Sequence, residues 1–154
     1  MVELYRSRGK IVKKDITILI ADRNPHVRKF LQREMTAAGY RVQLADNAHE
    51  VIKRAFRREP LDLVILDPDL PDADESHMLH HLLNRVPALP VVVHTYASEY
   101  GDGFKDMEAL FFVEKKGSSV ERLKQVVYDI LVEPSCRGEK IKKQGRYELE
   151  QSDR

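Results

Sequence analysis

Four polar side chains follow short apolar runs in the sequence. Asp22, Asp67, Thr95 and Lys115 come at or just after the ends of the first, third, fourth and fifth of these runs. The two carboxylates offer the oxygen ligands that Mg²⁺ prefers, while the ammonium and the hydroxyl can bind phosphoryl oxygens. One of the carboxylates can also act as a nucleophile, which would give an aspartyl phosphate. These residue types predict a site for a divalent cation and a phosphoryl group.

The apolar runs predict five strands, and the segments between them predict amphipathic helices. The strands are expected at residues 16–21, 40–44, 63–66, 91–93 and 110–113. The helices are expected at residues 25–38, 48–56, 78–83 and 120–131, with a short one within residues 98–108. The second strand alternates apolar and polar residues, so we expect it at the edge of the sheet.

Particular residues define the ends and buried faces of these helices. Asn47 with Glu50, and Ser118 with Glu121, have the spacing of capping boxes. Phe30 and Phe56 fall on the apolar faces predicted for the first two helices.

Strands that alternate with helices predict an α/β fold, namely a doubly wound five-stranded parallel sheet with right-handed crossovers and helices on both faces. In such sheets, sites lie at the carboxyl ends of the strands. The four polar side chains are therefore expected to meet at one edge of the sheet.

Length and composition are those of one ordinary domain. The chain has 154 residues, of which 42% are hydrophobic and 33% charged. The single cysteine, Cys136, excludes an internal disulfide and a multi-cysteine metal site. No apolar run approaches the roughly 20 residues of a membrane span, and no secretory segment is visible, so we expect a cytoplasmic protein.

The charges divide the chain into three parts. Residues 1–14 form a basic leader with five basic residues and one acidic residue, and residues 133–154 form a charged tail that we expect to be disordered. The body between them, residues 15–132, is acidic overall, with 15 basic and 19 acidic residues. An acidic body argues against direct nucleic-acid binding by the fold.

In their order and spacing, four segments resemble the receiver domain of two-component response regulators. They are residues 18–22 (ILIAD), 63–71 (LVILDPDLP), 90–95 (PVVVHT) and 112–115 (FVEK). The resemblance covers roughly residues 15–132 and implies a flavodoxin-like sheet with the strand order 2-1-3-4-5.

The resemblance also implies a role for each site residue. Asp67 would accept a phosphoryl group from a histidine kinase or phosphotransfer protein, and Mg²⁺ would be held by Asp22, Asp67 and the backbone carbonyl of Asp69. Thr95 and Lys115 would hold the phosphoryl oxygens. The aromatic ring of Phe112 would rotate inward when Thr95 moves toward the phosphate.

Two residues depart from the family's usual pattern. Arg23 stands where the family usually has a second metal-binding acid; its permanent charge would compete with Mg²⁺ and could pair with a carboxylate. If Arg23 points to solvent, we expect weakened, metal-poor phosphorylation; if it occupies the metal site, we expect a module that works without phosphorylation. Lys116 stands where proline is common in the family, so we expect the Lys115 side chain to be placed differently from the corresponding lysine of other receivers.

Three functions are weighed on these features. The first is a stand-alone receiver that signals through protein contacts, because the 22 residues after Val132 cannot bury a second core. Its partner would be a separate effector protein or a second copy of the chain, bound through the fourth helix, fifth strand and fifth helix. The second is a pseudo-receiver that uses the same surface without phosphate chemistry. The third, remote one is a haloacid-dehalogenase-like phosphatase, because Asp67-Pro68-Asp69 has the required Asp-x-Asp pattern.

Further polar residues have open roles. His77 and His81 are spaced so that both could bind one transition-metal ion from the same face of a helix. The alternative is that these two residues and His80 form an exposed cluster without a metal. His94 either tunes the adjacent site or has no role. An acidic loop either raises the local cation affinity or is merely solvated; its members are Asp69, Asp72, Asp74 and Glu75.

Overall fold

The structure, a computed structural model, describes residues 15–96 and 109–132. Its strands are β1 (Thr17–Ala21), β2 (Arg41–Ala45), β3 (Leu63–Leu66), β4 (Val91–Thr95) and β5 (Leu110–Glu114). Its helices are α1 (Pro25–Ala37), α2 (Ala48–Ala55), α3 (Glu75–Leu83) and α4 (Ser119–Leu131). Three predicted segments lie outside the described residues: the leader, the tail and the fourth helix, within residues 98–108. The helix α4 therefore corresponds to the predicted fifth helix.

The five strands form one parallel sheet in the order β2-β1-β3-β4-β5. This confirms the predicted α/β, doubly wound, flavodoxin-like fold. The register pairs Ala21 with Leu66, and Leu66 with Val93, so the carboxyl ends of the three central strands lie side by side. β2 is at the edge and most of its residues are partly exposed, as its alternating sequence predicts.

The sheet separates two apolar cores. On one face, α2 and α3 cover residues such as Leu19, Val64 and Val91. On the other face, α1 and α4 cover the neighbouring residues of the same strands, including Ile18 and Ile65. The central strands are buried on both faces, which explains why they appear in the sequence as continuous apolar runs. None of the described helices has the length and apolar character needed to cross a membrane.

Asparagine side chains cap the first two helices, whereas the predicted cap of the last helix is not formed. Asn24 accepts a hydrogen bond from the His26 amide at the start of α1, and Asn47 accepts one from the Glu50 amide at the start of α2. The predicted cap at Ser118 is wrong because its side chain makes no capping hydrogen bond. Its backbone (φ −102°, ψ 9°) is not in the extended region that lets a capping hydroxyl reach the next turn.

Two aromatic residues of the first two predicted helices lie at the surface. Phe30 is 41% exposed and Phe56 is 48% exposed. The Arg33 guanidinium lies over the Phe30 ring at 5.3 Å from its centroid, while Phe56 follows the last turn of α2 and its ring lies 4.6 Å from that of His81. Each ring therefore contacts a cationic or imidazole side chain at the surface instead of the core.

Candidate functional site

The sheet register brings the predicted polar residues to one edge. Backbone hydrogen bonds continue the sheet past the strand ends: the Asp67 amide donates to the Ala21 carbonyl at 2.8 Å, and the Lys115 amide donates to the Thr95 carbonyl at 2.8 Å. Asp22 follows β1 directly. All four residues thus lie at the carboxyl edge of the sheet, where sites of this fold class occur.

The Lys115 side chain reaches two buried carboxylates. Its Nζ lies 2.5 Å from Asp67 Oδ2 and 2.9 Å from Asp22 Oδ2. The side chains of Asp22, Asp67 and Lys115 are only 2%, 8% and 12% exposed. A single ammonium therefore compensates two buried negative charges, and the three ionised side chains carry one net negative charge.

The loops around the pocket fix the other carboxylate oxygens. Asp22 Oδ1 accepts a hydrogen bond from the Asn24 amide at 2.8 Å, and Asp67 Oδ1 accepts one from the Asp69 amide at 2.9 Å. In both cases the donor lies two residues along the chain, the arrangement of an Asx turn. Each aspartate thus orients its own carboxylate through the loop that follows it.

Burial and ion pairing shift the pKa values of the pocket side chains in opposite directions. Burial raises the pKa of Asp67, against the lowering effect of its hydrogen bonds with Lys115 and Asp69. For Lys115, burial lowers the pKa, but the contacts with Asp67 and Asp22 together raise it more, so the net shift is upward. Lys115 therefore stays protonated at neutral pH and can hold an anion next to Asp67.

Thr95 and Phe112 lie on the same face of the sheet. β4 and β5 pair Val93 with Phe112 and Thr95 with Glu114, and side chains two residues apart on a strand share a face. Thr95 is buried, and Phe112 is partly buried against the core under α2 and α3. Both side chains therefore face the side of the sheet that α2 and α3 cover.

Arg23 is half exposed and, within the described residues, pairs with Asp69 rather than with either buried carboxylate. Its Nη1 forms an ion pair with Asp69 Oδ2 at 3.7 Å, and the two side chains are 49% and 54% exposed. Of the two placements expected for Arg23, the structure shows the one outside the acid pocket. Lys116 pairs with Glu114 at 2.9 Å, and its presence after Lys115 does not prevent Lys115 from reaching Asp67.

Two carboxylates of the acidic loop cap the helices beside it. Asp72 accepts hydrogen bonds from the Ala48 and His49 amides at 2.6 and 3.1 Å, which caps α2, and these bonds lower the pKa of Asp72. Asp74 accepts a hydrogen bond from the His77 amide at 3.2 Å and caps α3. Within this loop, the side chain of Glu75 lies outside what the structure describes.

The histidines have separate surroundings. The rings of His77 and His81 lie 6.3 Å apart on the surface, and within the described residues no group of three metal-ligating side chains exists. His94 is buried, and its Nε2 lies 3.1 Å from Ser119 Oγ at the start of α4. Burial, aided by the positive charge of Lys115, lowers the pKa of His94 to about 4, so this side chain is neutral in the folded protein.

Sequence reasoning missed three residues beside the site. Arg28 Nη1 donates to the Asp22 carbonyl at 2.7 Å and to the Arg23 carbonyl at 3.3 Å, which fixes the loop after β1. The exposed Tyr96 ring has its centroid 5.6 Å from Lys115 Nζ. Its position directly after Thr95 was a usable signal, whereas nothing in the sequence pairs Arg28 with those carbonyls or Ser119 with His94.

Comparison with known proteins assigns the family. The response regulator receiver domain family matches residues 18–128. The chain belongs to this family. Receiver domains of two-component signalling are phospho-acceptor switches rather than conventional enzymes, so family membership gives no support to the dehalogenase-like phosphatase.

Individual relatives agree with this assignment. This receiver domain is similar to the response regulator TrrA of Thermotoga maritima, whose structure was determined in complex with Mg²⁺–BeF. The two are 26% identical, the match covers 75% of this chain and 99% of that chain, and the TM-score is 0.67. TrrA bound to the histidine kinase ThkA is similarly close, at 26% identity, coverage of 75% and 98%, and a TM-score of 0.66. The KDP operon transcriptional regulatory protein KdpE of Escherichia coli is 33% identical over 60% of this chain and 40% of its own length.

The first curated relatives are longer proteins than this receiver domain. The matched region spans between 25% and 41% of their length. The comparison with these proteins therefore concerns their receiver portions.

The residues at the pocket fit a magnesium ion. Asp22 Oδ2 is buried, and its contact within the described residues is the ion pair with Lys115 Nζ at 2.9 Å. Asp67 offers a second carboxylate, and the backbone of Asp69 lies against it through the amide hydrogen bond. Oxygen donors of this kind suit Mg²⁺, which receiver domains typically bind, whereas Arg23 lowers the total negative charge beside them.

Proposed function

We propose that this chain acts as a phospho-acceptor receiver in a phosphorelay and that Asp67 takes the phosphoryl group. The observation that carries the proposal is the Lys115 ammonium held against the buried carboxylate of Asp67, with Asp22 on its other side. An oriented carboxylate beside a fixed positive charge can attack a phosphorus atom and hold the charged product.

The proposed step forms one bond and breaks one bond. A carboxylate oxygen of Asp67 attacks the donor phosphorus, a P–O bond forms, and the electron pair of the donor's bond leaves with the donor. With phosphohistidine the released imidazole takes a proton from solvent; with acetyl phosphate, acetate leaves as the anion. Asp67 reacts as a carboxylate, so no base is needed to deprotonate it.

The other site residues have separate roles in this proposal. Mg²⁺, held by Asp22, Asp67 and the Asp69 carbonyl, would neutralise negative charge that develops on the transferred group. Lys115 donates hydrogen bonds to phosphoryl oxygens, and the Thr95 hydroxyl adds another. Because Lys115 already contacts Asp67 and stays protonated, it can follow the new group with little rearrangement.

We further propose that the signal leaves the site through Thr95 and Phe112. These two residues share one face of the sheet, and Phe112 is only partly buried. The output surface would be the predicted fourth helix, β5 and α4, which would bind a protein effector or a second copy of the chain. We propose a cytoplasmic setting without direct nucleic-acid contact by the fold.

The proposed phosphodonor is a histidine kinase or a phosphotransfer protein. A structure of TrrA in complex with the histidine kinase ThkA supports this choice, since TrrA is 26% identical to this chain and nearly all of it is matched. Which kinase acts on this chain is a matter of surface complementarity outside the pocket.

The proposal is tested by incubating the chain with acetyl phosphate and Mg²⁺ and measuring its intact mass. We expect the added mass of one phosphoryl group, stable in acid and labile in alkali, and no gain in Asp67→Asn. Asp46→Asn, an exposed aspartate, is the matched control and should behave as the wild type. Multiple turnover of a generic phosphate ester, or equal labelling of Asp67→Asn, would contradict the proposal.

A pseudo-receiver is the second candidate because Arg23 replaces a metal-binding acid. The two candidates differ in the behaviour of Arg23→Asp, which restores the usual acidic pair. If only Arg23→Asp gains a phosphoryl group, the wild type is a pseudo-receiver. If the wild type gains one as well, Arg23 is compatible with phosphorylation. The ion pair of Arg23 with Asp69, outside the acid pocket, supports the second outcome.

A further inference from the structure

Arg23 carries a positive charge at the mouth of the pocket in a weakly held position. Its partner, Asp69, is half exposed, as Arg23 itself is, and their closest atoms are 3.7 Å apart. Ion pairs with this exposure contribute little stability and exchange readily. The guanidinium can therefore leave Asp69 for a stronger anion without much loss.

Asp69 connects Arg23 directly to the proposed phosphoryl acceptor. The Asp69 side chain pairs with Arg23, while the Asp69 amide donates to Asp67 Oδ1 at 2.9 Å. The loop that carries Arg23 is fixed as well, because Arg28 donates to the carbonyls of Asp22 and Arg23. Arg23 is thus presented from a fixed backbone toward the residue that orients Asp67.

The net charge of the pocket favours an additional positive charge beside it. Asp22, Asp67 and Lys115 sum to one negative charge, and a phosphoryl dianion esterified to Asp67 would raise this to two. A second acid in place of Arg23 would add one more and make the pocket depend on Mg²⁺. A guanidinium instead adds a permanent positive charge whose planar N–H groups match phosphoryl oxygens.

We infer that Arg23 is a phosphoryl-binding residue: it exchanges Asp69 for the phosphoryl group on Asp67 and supplies part of the positive charge that Mg²⁺ would otherwise provide. The inference rests on the proposed function. The bonds formed and broken are those given above, and Arg23 stays protonated throughout. The consequence is a receiver whose phosphorylation depends only weakly on Mg²⁺.

Two measurements test this role together. The first is the rate of phosphoryl uptake from acetyl phosphate, followed by intact mass in EDTA and across a Mg²⁺ series. The second is the affinity for Mg²⁺ in the absence of phosphodonor, measured by calorimetry. Both are made on the wild type, Arg23→Gln, Arg23→Lys and Arg23→Asp, with Arg33→Gln as the matched control because Arg33 is an exposed arginine of α1. Urea unfolding of each variant checks that it is folded.

We expect Arg23→Gln to change the two readouts in opposite directions. Its uptake in EDTA should be about tenfold slower than that of the wild type, the size of one lost charge-assisted hydrogen bond. Its affinity for Mg²⁺ should rise, and that of Arg23→Asp should rise further, because a repelling charge has gone. Arg23→Lys should lie between wild type and Arg23→Gln in EDTA, and Arg33→Gln should match the wild type.

The outcomes separate this inference from the proposed function. If the wild type and Arg23→Gln take up phosphoryl groups at the same rate in EDTA, or Arg23→Gln is faster, Arg23 does not bind the phosphoryl group, and the proposed function stands. If the wild type takes up no phosphoryl group at any Mg²⁺ concentration, the proposed function itself fails.

Discussion

Lys115 Nζ lies 2.5 Å from Asp67 Oδ2, although 48 positions separate the two residues in the sequence. Their strands are not neighbours, since β4 lies between β3 and β5. The long lysine side chain crosses the end of β4 and also reaches Asp22 after β1. One ammonium thus connects the ends of three strands at the proposed site.

Removal of this ammonium should destabilise the fold. Lys115→Met leaves Asp22 and Asp67 buried without their compensating charge, and we expect a loss of about 3 kcal/mol in the free energy of unfolding at pH 7. Urea denaturation measures it. The matched control is Lys116→Met, because Lys116 is an exposed neighbour paired with Glu114, and it should cost about 0.5 kcal/mol or less. Equal losses in the two variants would contradict the role of Lys115.

The double variant Asp67→Asn, Lys115→Met gives a second test of the same contact. Neutralising Asp67 removes one of the two charges that Lys115 compensates, so the double variant should lose less stability than the sum of the single losses. We expect a coupling of at least about 1 kcal/mol. Additive losses in urea denaturation would show that the two side chains do not interact.

His94 should make the fold sensitive to acid. Burial lowers the pKa of His94 to about 4 in the folded protein, whereas the pKa of a histidine in the unfolded chain is about 6.5. Between these values the unfolded state binds more protons, so stability is lost as the pH falls from 6.5 to 4, by up to about 3 kcal/mol. His94→Gln should lack this loss, as measured by urea unfolding at pH 7, 5.5 and 4.5. His26→Gln, at an exposed position, should keep it; an unchanged pH slope in His94→Gln would contradict the assignment.

Two adjacent serines at the start of α4 should differ in importance. Ser119 Oγ is the described hydrogen-bond partner of the buried His94 ring, whereas Ser118 is exposed and caps nothing. Ser119→Ala should therefore cost about 1 kcal/mol of stability. Ser118→Ala should cost less than about 0.5 kcal/mol. Thermal or urea unfolding measures both, and the reverse order would show that the His94 contact is not formed.

Asp72 should act on the fold and not on the cation. It caps α2 through the Ala48 and His49 amides, so Asp72→Ala should lower the midpoint of urea unfolding, as Asn47→Ala should at the same helix end. Calorimetric titration should show the affinity for Mg²⁺ unchanged in Asp72→Ala. A drop of about tenfold or more in that affinity would instead make the acidic loop part of the cation site.

The sheet and its site edge could be predicted from the sequence because both follow from local patterns. Strands buried on both faces give continuous apolar runs, and a parallel sheet brings the ends of such runs to one side. The positions of Asp22, Asp67, Thr95 and Lys115 follow from this without any knowledge of loops. The edge position of β2 follows equally from its alternation.

The loop contacts could not be predicted, because they depend on how two loops meet in space. Arg23 follows β1 and Asp69 follows β3, and no periodicity relates them. The cap that Asp72 places on α2 joins residues 24 positions apart. Ser118 shows the opposite failure: the sequence has the spacing of a capping box, but the backbone at that residue is not extended.

The position of the phosphoryl group itself shows whether Asp67 is the acceptor. The chain is treated with acetyl phosphate and Mg²⁺ and then reduced with borohydride, which converts an aspartyl phosphate to homoserine, and the peptides are sequenced by mass spectrometry. We expect homoserine at position 67 and at no other aspartate, and none in a sample without phosphodonor. Homoserine at position 22 or 69 instead, or no conversion at position 67, would contradict it.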